Sequence, residues 1–325
     1  MSQTKMIIQL DTKYPDFEQE KQIFKGLDYR LIVLNGTNSI ESILHHLKTA
    51  SAVMVREYPI TKSMINEMEQ CQVIVRYGVG VDNIDLEAAR QKDIYVVNVP
   101  DYGTEEVSNH ALALLLTVSR RIISRDNNVR QGNWDTGFSE KIYSFQNKTL
   151  GVLGYGRIGR RFIEKARAFG FSKVLVYDPY IKDKPHDIEL CDLHELCRQS
   201  DIISLHMPLT KESFHILNKE TLALLKENCI LINTSRGGLI DEDILYDLLN
   251  KKEIFGAGLD VFEKEPPDVN TSLFRLSNVV VTNHMGWYSE ESLQELQKKA
   301  AEEVRRVFSG SAPIHCVNVL MEVKR

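Results

Sequence analysis

The segment TLGVLGYGRIGRRFIEKA, residues 149–166, leaves few folds open. A short apolar run meets Gly154, Gly156 and Gly159, and Ile158, Phe162, Ile163 and Ala166 then repeat at helical spacing. A strand that turns on glycines into a helix begins a parallel βαβ unit, because parallel strands need a crossover. Gly154 would permit the tight turn, Gly156 would let a pyrophosphate approach the backbone, and Gly159 would let helix and strand pack closely. The helix N-terminus, with Arg157 and Ile158 in its first turn, offers free N–H groups and a partial positive charge to phosphates. Asp178 ends the next strand about 20 residues on, where it would accept ribose hydroxyls and repel a 2′-phosphate. The expectation is a dinucleotide site that favours NAD over NADP.

Five further apolar runs continue this series: KVLVYD, IISLHM, CILINT, FGAGLD and NVVVTN. Upstream, a first series predicts strands at 6–10, 30–34, 52–56, 73–75 and 95–97, with helices at 61–71 and 86–92 between them. A long helix, 105–123, separates the two series. A last helix begins after Ser289, an N-cap candidate, and repeats Leu293, Leu296, Ala300, Val304 and Val307 along one face before Gly310. Alternating strands and helices predict an α/β fold with parallel sheets. At 325 residues there is material for two domains.

Composition narrows the function. The net charge is −5 with both signs interspersed, so no basic stripe marks a nucleic-acid or anionic-membrane partner. No apolar run reaches the roughly 20 residues a membrane helix needs, and the N-terminus reads as a strand rather than a signal peptide. Cys71, Cys191, Cys197, Cys229 and Cys316 lie apart without a CxxC pair, which predicts a reduced, cytoplasmic protein and no metal site.

Chemistry-bearing residues cluster at strand ends after the glycine motif. Arg236 follows CILINT, where open α/β sheets bind ligands, and its planar fork suits a carboxylate; a surface pair with Asp241 or Glu242 is the alternative. Glu265 lies after the FGAGLD run with Pro266 behind it, and alone it would read as a solvated loop carboxylate. Asp260 ends that strand within reach of a cofactor amide or ribose. His284 closes NVVVTNH, where it is either a chemical group or a packed strand-end histidine.

In this order, RYGVGVDNID (76–85), GYGRIG, HMPLT (206–210), NTSRGG (233–238), LDVFEKEP (259–266) and NHMG (283–286) resemble the D-isomer-specific 2-hydroxyacid dehydrogenases over nearly the whole chain. The resemblance implies a NAD-binding Rossmann domain, 101–286, inserted into a flavodoxin-like substrate domain, 1–100 plus 287–325, with the active site in the cleft between them. It implies that Arg236 holds the substrate carboxylate and polarises the 2-oxo group. His284 would exchange a proton with the oxygen, while Glu265 orients the ring and favours its charged form. Val79 and Gly80 would bind the carboxylate by their backbone. Arg157, Ile158, Asp178, Met207, Thr234, Asp260 and Gly286 fall at cofactor-contact positions. The helix from residue 105 would join a homodimer interface.

Some positions depart from the family pattern. Asn283 stands where a proline is usual, and Asn109 where a glutamate is frequent. GWYSEES resembles the branch containing the C-terminal binding proteins, so Trp287 is expected either to line the substrate pocket or to pack at the domain hinge. Arg56 and Arg76 leave open a phosphorylated substrate, as in D-3-phosphoglycerate dehydrogenases. The end at Arg325 predicts no further regulatory domain. The leading expectation is an NAD-dependent oxidoreductase acting on a 2-oxo acid or D-2-hydroxy acid. The alternative from another class is an NAD(H)-sensing binding module.

Overall fold

The computed structural model describes residues 4–35, 37–134, 140–181, 186 and 188–318. The chain divides into two compact units, Met1–Tyr102 with Ser289–Arg325, and Gly103–Tyr288.

The first unit runs β1 (Lys5–Leu10), α1 (Glu18–Phe24), β2 (Tyr29–Leu34), α2 (Ile40–Thr49), β3 (Ala52–Val55), α3 (Lys62–Glu67), β4 (Val73–Arg76), α4 (Leu86–Gln91) and β5 (Tyr95–Val97). The second runs α5 (Thr104–Ser119), α6 (Ile122–Arg130), β6 (Thr149–Leu153), α7 (Arg157–Ala166), β7 (Lys173–Tyr177), β8 (Glu189–Leu190), α8 (Leu193–Gln199) and β9 (Ile202–Leu205). It continues through α9 (Lys219–Leu222), β10 (Ile230–Asn233), α10 (Glu242–Asn250), β11 (Gly256–Leu259) and β12 (Val279–Val281), and α11 (Glu290–Phe308) returns to the first unit.

Both sheets are parallel. The first has the order β2-β1-β3-β4-β5, a flavodoxin-like arrangement. Its inner strands β1, β3 and β4 are mostly apolar, as suits strands with helices on both faces, and Ile7, Ile8, Val53, Val55 and Ile74 are fully buried. The second sheet has the order β12-β11-β10-β9-β6-β7-β8. Its chain leaves β6 for β7 and β8 on one side, then crosses to β9 on the other. That reversal places a crevice outside the carboxyl ends of β6 and β9.

Helices begin where a side chain can satisfy the first free N–H groups. Ser39, Thr61, Asp85, Asp192 and Asp241 each accept from a first-turn amide of α2, α3, α4, α8 and α10. Ser289 caps α11 in a reciprocal box with Ser292, and Leu293, Leu296, Ala300, Val304 and Val307 are buried along its inner face.

Two local expectations need correction. The helix expected over 105–123 breaks after Ser119, and Arg121 takes a left-handed conformation with φ 55°. Its guanidinium sits 3.9 Å over the Phe255 ring, a tertiary contact that local helix propensity does not encode. The helix expected over 61–71 stops at Glu67, because Met68 turns into extended backbone and buries its side chain. The two-residue edge strand β8 carries too short a pattern to be read.

The glycine turn shows why Gly154 and Gly159 are glycines. Gly154 has φ +94°, and a Cβ there would lie 2.4 Å from the His206 carbonyl oxygen. At Gly159 a Cβ would lie 2.1 Å from the Gly154 oxygen, whereas at Gly156 it would meet nothing within 4 Å. Gly159→Ala is therefore expected to destabilise the unit by about 1–3 kcal/mol in urea unfolding. Gly156→Ala should change stability by less than about 0.5 kcal/mol. Equal effects would contradict this packing account.

Candidate active site

The carboxyl edge of the second sheet collects, from one side to the other, the residues that follow β7, β6, β9, β10, β11 and β12. The glycine turn sits at the switch point, with Gly156 and Arg157 exposed at the start of α7 and Ile158 half-buried. Gly156 caps α7 without a side-chain hydrogen bond, and the first-turn amides of a helix lack intrahelical partners, the arrangement that binds a phosphate. Asp178 follows β7, and its carboxylate accepts from the Tyr155 amide (2.8 Å) and the Tyr180 amide (2.9 Å). A cleft of about 150 Å³ opens beside it, lined by Gly154, Gly156, Asp178, Tyr180, His206, Met207, Pro208 and Thr210 among others. At the end of β10, Thr234 Oγ1 is enclosed without a hydrogen-bond partner among the described residues. An open Gly156, a capped Asp178, an apolar cleft wall and an orphaned hydroxyl together fit a dinucleotide.

Across the switch point the chemistry changes. Asp260, 2% exposed at the end of β11, accepts from Thr282 Oγ1 (2.5 Å), the Met285 amide (3.1 Å) and the Gly286 amide (2.9 Å). Its backbone oxygen accepts from the His284 amide at 2.8 Å. His284 is thereby held with φ 56°, a conformation that costs a non-glycine residue about 1–3 kcal/mol unless its surroundings fix it. Its ring Nδ1 lies 2.6 Å from Glu265 Oε2, and Glu265 Oε1 accepts from the Phe262 amide at 3.0 Å. The histidine is thus no isolated strand-end residue.

Arg236 opens a tight turn after β10. Asn233 Nδ2 donates to its carbonyl (2.9 Å), and Ser235 Oγ donates to the Leu205 carbonyl (2.7 Å), pinning the turn to the strand ends. The guanidinium donates to the Ser235 carbonyl at 2.7 Å and lies close enough for its charge to act on Glu265. A Cβ at Gly237 would lie 1.8 Å from the Phe262 carbonyl carbon, so the Arg236 turn and the Glu265 loop are in direct backbone contact.

His110, which the sequence reading passed over, belongs to this site. From α5 its Nε2 reaches Thr282 Oγ1 at 2.9 Å and Asp260 Oδ1 at 3.4 Å. A histidine inside the otherwise apolar NHALALLL was the available signal. Its neighbour Asn109 instead accepts from Lys165 at 2.6 Å, tying α5 to α7. Trp287 is 9% exposed, packed beside Gly103 and edge-on to Tyr288.

In the first unit, the loop after β4 is anchored from below. Tyr77 is buried and donates to Glu20 Oε1 at 2.7 Å, with Gln9 donating to the Tyr77 hydroxyl. Burial raises the Glu20 carboxyl above its ordinary range, outweighing hydrogen bonds from Tyr77, Gln297 and Gln9. Val79 is exposed at 42%, and its carbonyl accepts from Asn98 at 2.6 Å. Arg76 Nε donates to the Arg56 carbonyl at 3.2 Å, and the Arg56 guanidinium pairs with Glu57 at 2.9 Å.

Electrostatics set the acid limit of the second unit. Burial raises the Asp260 carboxyl, but hydrogen bonds from His110, Thr282 and Gly286 outweigh it and hold the group below its ordinary value. Glu265 is likewise lowered: burial is overcome by the His284 hydrogen bond and charge, the Phe262 amide and Arg236. Burial pushes the His206 imidazole from its ordinary 6.5 down to about 3, and its Nδ1 is enclosed without a hydrogen-bond partner among the described residues. Between those two values, 6.5 and about 3, the unfolded chain binds a proton that the folded unit refuses. Stability is therefore full above the upper value and falls on acidification, by up to about 1.4 kcal/mol per pH unit. The depressed carboxylates add the same sign at lower pH. The urea midpoint should decline from about pH 6.5 to about pH 5 in the wild type and more shallowly in His206→Gln; matching slopes would contradict the assignment.

Comparison with known proteins agrees with this geometry. The family description "D-isomer specific 2-hydroxyacid dehydrogenase, NAD binding domain" matches residues 112–286. The D-3-phosphoglycerate dehydrogenase of Methanocaldococcus jannaschii is 41% identical over 284 residues, 86% of this chain and 54% of that protein, so the match spans about half of that relative's length. The glyoxylate reductase of Thermococcus litoralis is 39% identical over 268 residues, 80% of each chain. The crystal structure of D-lactate dehydrogenase from Aquifex aeolicus complexed with NAD and lactic acid superposes with a TM-score of 0.85 at 30% identity, covering 94% of this chain and 96% of that one. The chain belongs to the D-isomer-specific 2-hydroxyacid dehydrogenase family.

Proposed function

We propose that this protein is an NAD-dependent dehydrogenase that interconverts a short 2-oxo acid and its D-2-hydroxy acid. The observation that carries the reading is the 2.6 Å pairing of His284 with Glu265, beside Arg236, at the sheet edge that also holds the dinucleotide residues.

Gly154, Gly156, Arg157, Ile158, Gly159, Asp178, Met207, Thr234, Asp260 and Gly286 would hold the cofactor, which supplies or accepts the hydride at substrate C2 when bound. Arg236 holds the substrate carboxylate and polarises the 2-oxo oxygen. His284 gives its Nε2 proton to that oxygen in reduction and takes it back in oxidation. Glu265, kept ionised by its surroundings, fixes the ring through Nδ1 so that Nε2 faces the reacting oxygen. Val79, Gly80 and Trp287 are assigned as substrate contacts.

Glyoxylate and hydroxypyruvate are the leading candidates, since relatives carry the names glyoxylate reductase and hydroxypyruvate reductase. A phosphorylated 2-hydroxy acid is the second reading, supported by Arg56 and Arg76 beside the loop after β4. The exposed Ile122, Ile123 and Val129 on α6 support a homodimer, and five free cysteines fit the reducing cytoplasm.

Purified protein should oxidise NADH with at least one member of a 2-oxo acid panel, and His284→Ala should lower kcat by about 10²–10⁴-fold while NADH still binds. No turnover across the panel with either nicotinamide cofactor would end the reading. For the phosphorylated alternative, Arg56→Ala should raise KM for 3-phosphoglycerate by roughly tenfold and leave KM for glyoxylate near the wild-type value; parallel changes would exclude it.

A further inference from the structure

Arg236 and Glu265 lie on loops from different strands, and their separation must stay fixed for one substrate to engage both the Arg236 guanidinium and the His284 ring that Glu265 holds. His215, between β9 and α9, touches both loops. Its amide donates to the Gly238 carbonyl at 2.8 Å, two residues beyond Arg236. Its ring Nε2 lies 2.9 Å from Glu263 Oε1, two residues before Glu265, and Nδ1 lies 3.9 Å from Asp241 Oδ2. The ring is stacked on Phe214 with centroids 4.0 Å apart.

Both contacts depend on an uncommon backbone. His215 has φ 49°, and a non-glycine residue persists there only when its neighbours over-determine it. Glu263 is fixed from the other side as well. Its Oε1 accepts from the Glu242 amide at 3.1 Å, and its own amide donates to Glu242 Oε1 at 2.6 Å. Asp241 caps the same end of α10. Asp241, Glu242, Glu263 and Glu265 thus crowd four carboxyl groups into one corner. Burial and the charges of Glu263, Asp243 and Glu265 raise the Glu242 carboxyl, and a donor among these groups relieves their repulsion.

We infer that His215 is a positioning residue: it ties the Arg236 turn to the Glu265 loop and so keeps the guanidinium and the Glu265–His284 pair in register. The inference rests on the dehydrogenase reading, because it assigns no contact with substrate to His215 itself. Its segment also walls the cleft beside Asp178 through Thr210, Ser213 and Ile216, so cofactor affinity has to be read separately from turnover.

The test is steady-state reduction of the best 2-oxo acid by wild type, His215→Ala and His215→Gln, with NADH affinity and thermal unfolding measured on each. His215→Ala is expected to lower kcat by roughly tenfold, from lost alignment alone, with NADH Kd within about twofold of wild type. His215→Gln, whose amide can donate to Glu263, should recover most of that loss. If His215→Ala proves unstable, His215→Phe keeps a ring against Phe214 while removing the contact with Glu263 and should give the same fall in kcat. The inference is overturned if kcat is unchanged in His215→Ala, if the glutamine variant is as slow as the alanine one, or if NADH affinity falls as far as kcat. A wild type inactive on every 2-oxo acid takes the dehydrogenase reading down too, whereas an active wild type with an indifferent His215→Ala overturns this inference alone.

Discussion

The second unit is organised around one buried carboxylate. Asp260 sits at the end of β11 and gathers Thr282, Met285 and Gly286 onto its side chain, with His284 on its backbone oxygen. Leaving such a charge buried without these donors would cost several kcal/mol, so the loop after β12 cannot relax away from it. The left-handed backbone of His284 follows from that clamp, and the direction of its ring toward Glu265 follows from the backbone. His110 reaches the same carboxylate from α5, so the long helix is part of the support.

The sheet divides its labour about the switch point. Strands β6, β7 and β9 end in the glycine turn, Asp178 and the cleft wall, which suit a dinucleotide; β10, β11 and β12 end in Arg236, the Glu265 loop and His284, which suit acid–base chemistry on a carboxylate-bearing substrate. A parallel sheet with both faces covered exposes the carboxyl ends of all these strands on one edge. Residues distant in sequence therefore meet without any of them having to leave its own loop. The close approach at Gly237, Phe262 and Glu263 joins the second group into one rigid corner.

Much of this was legible in the sequence where local pattern determines structure. The β-branched runs marked six strands of the second unit, and the glycine spacing marked the turn at its switch point. Ser289 and the apolar stripe from Leu293 to Val307 marked α11. What stayed hidden was set by tertiary contact. Arg121 breaks its helix because Phe255, far along the chain, offers a ring for its guanidinium, and no glycine or proline announces the break. His110 finds Thr282 172 positions away, and His215 finds Glu263 48 positions away, so neither pairing leaves a local trace. Arg236, Glu265 and His284 stand at or after strand ends, but their joint role was legible only through the family resemblance, and only the fold shows the Glu265–His284 distance and the contact between the loops that carry Glu265 and Arg236.

The central claim is that Arg236 and His284 address one 2-oxo acid from adjacent loops. A crystal structure with NADH and the inert 2-oxo acid analogue oxamate tests it most directly. The account predicts the oxamate carboxylate on the Arg236 guanidinium and its oxo oxygen within about 3 Å of His284 Nε2. An analogue bound with the His284 ring turned away from it, or a dinucleotide lodged away from the glycine turn, would contradict the account.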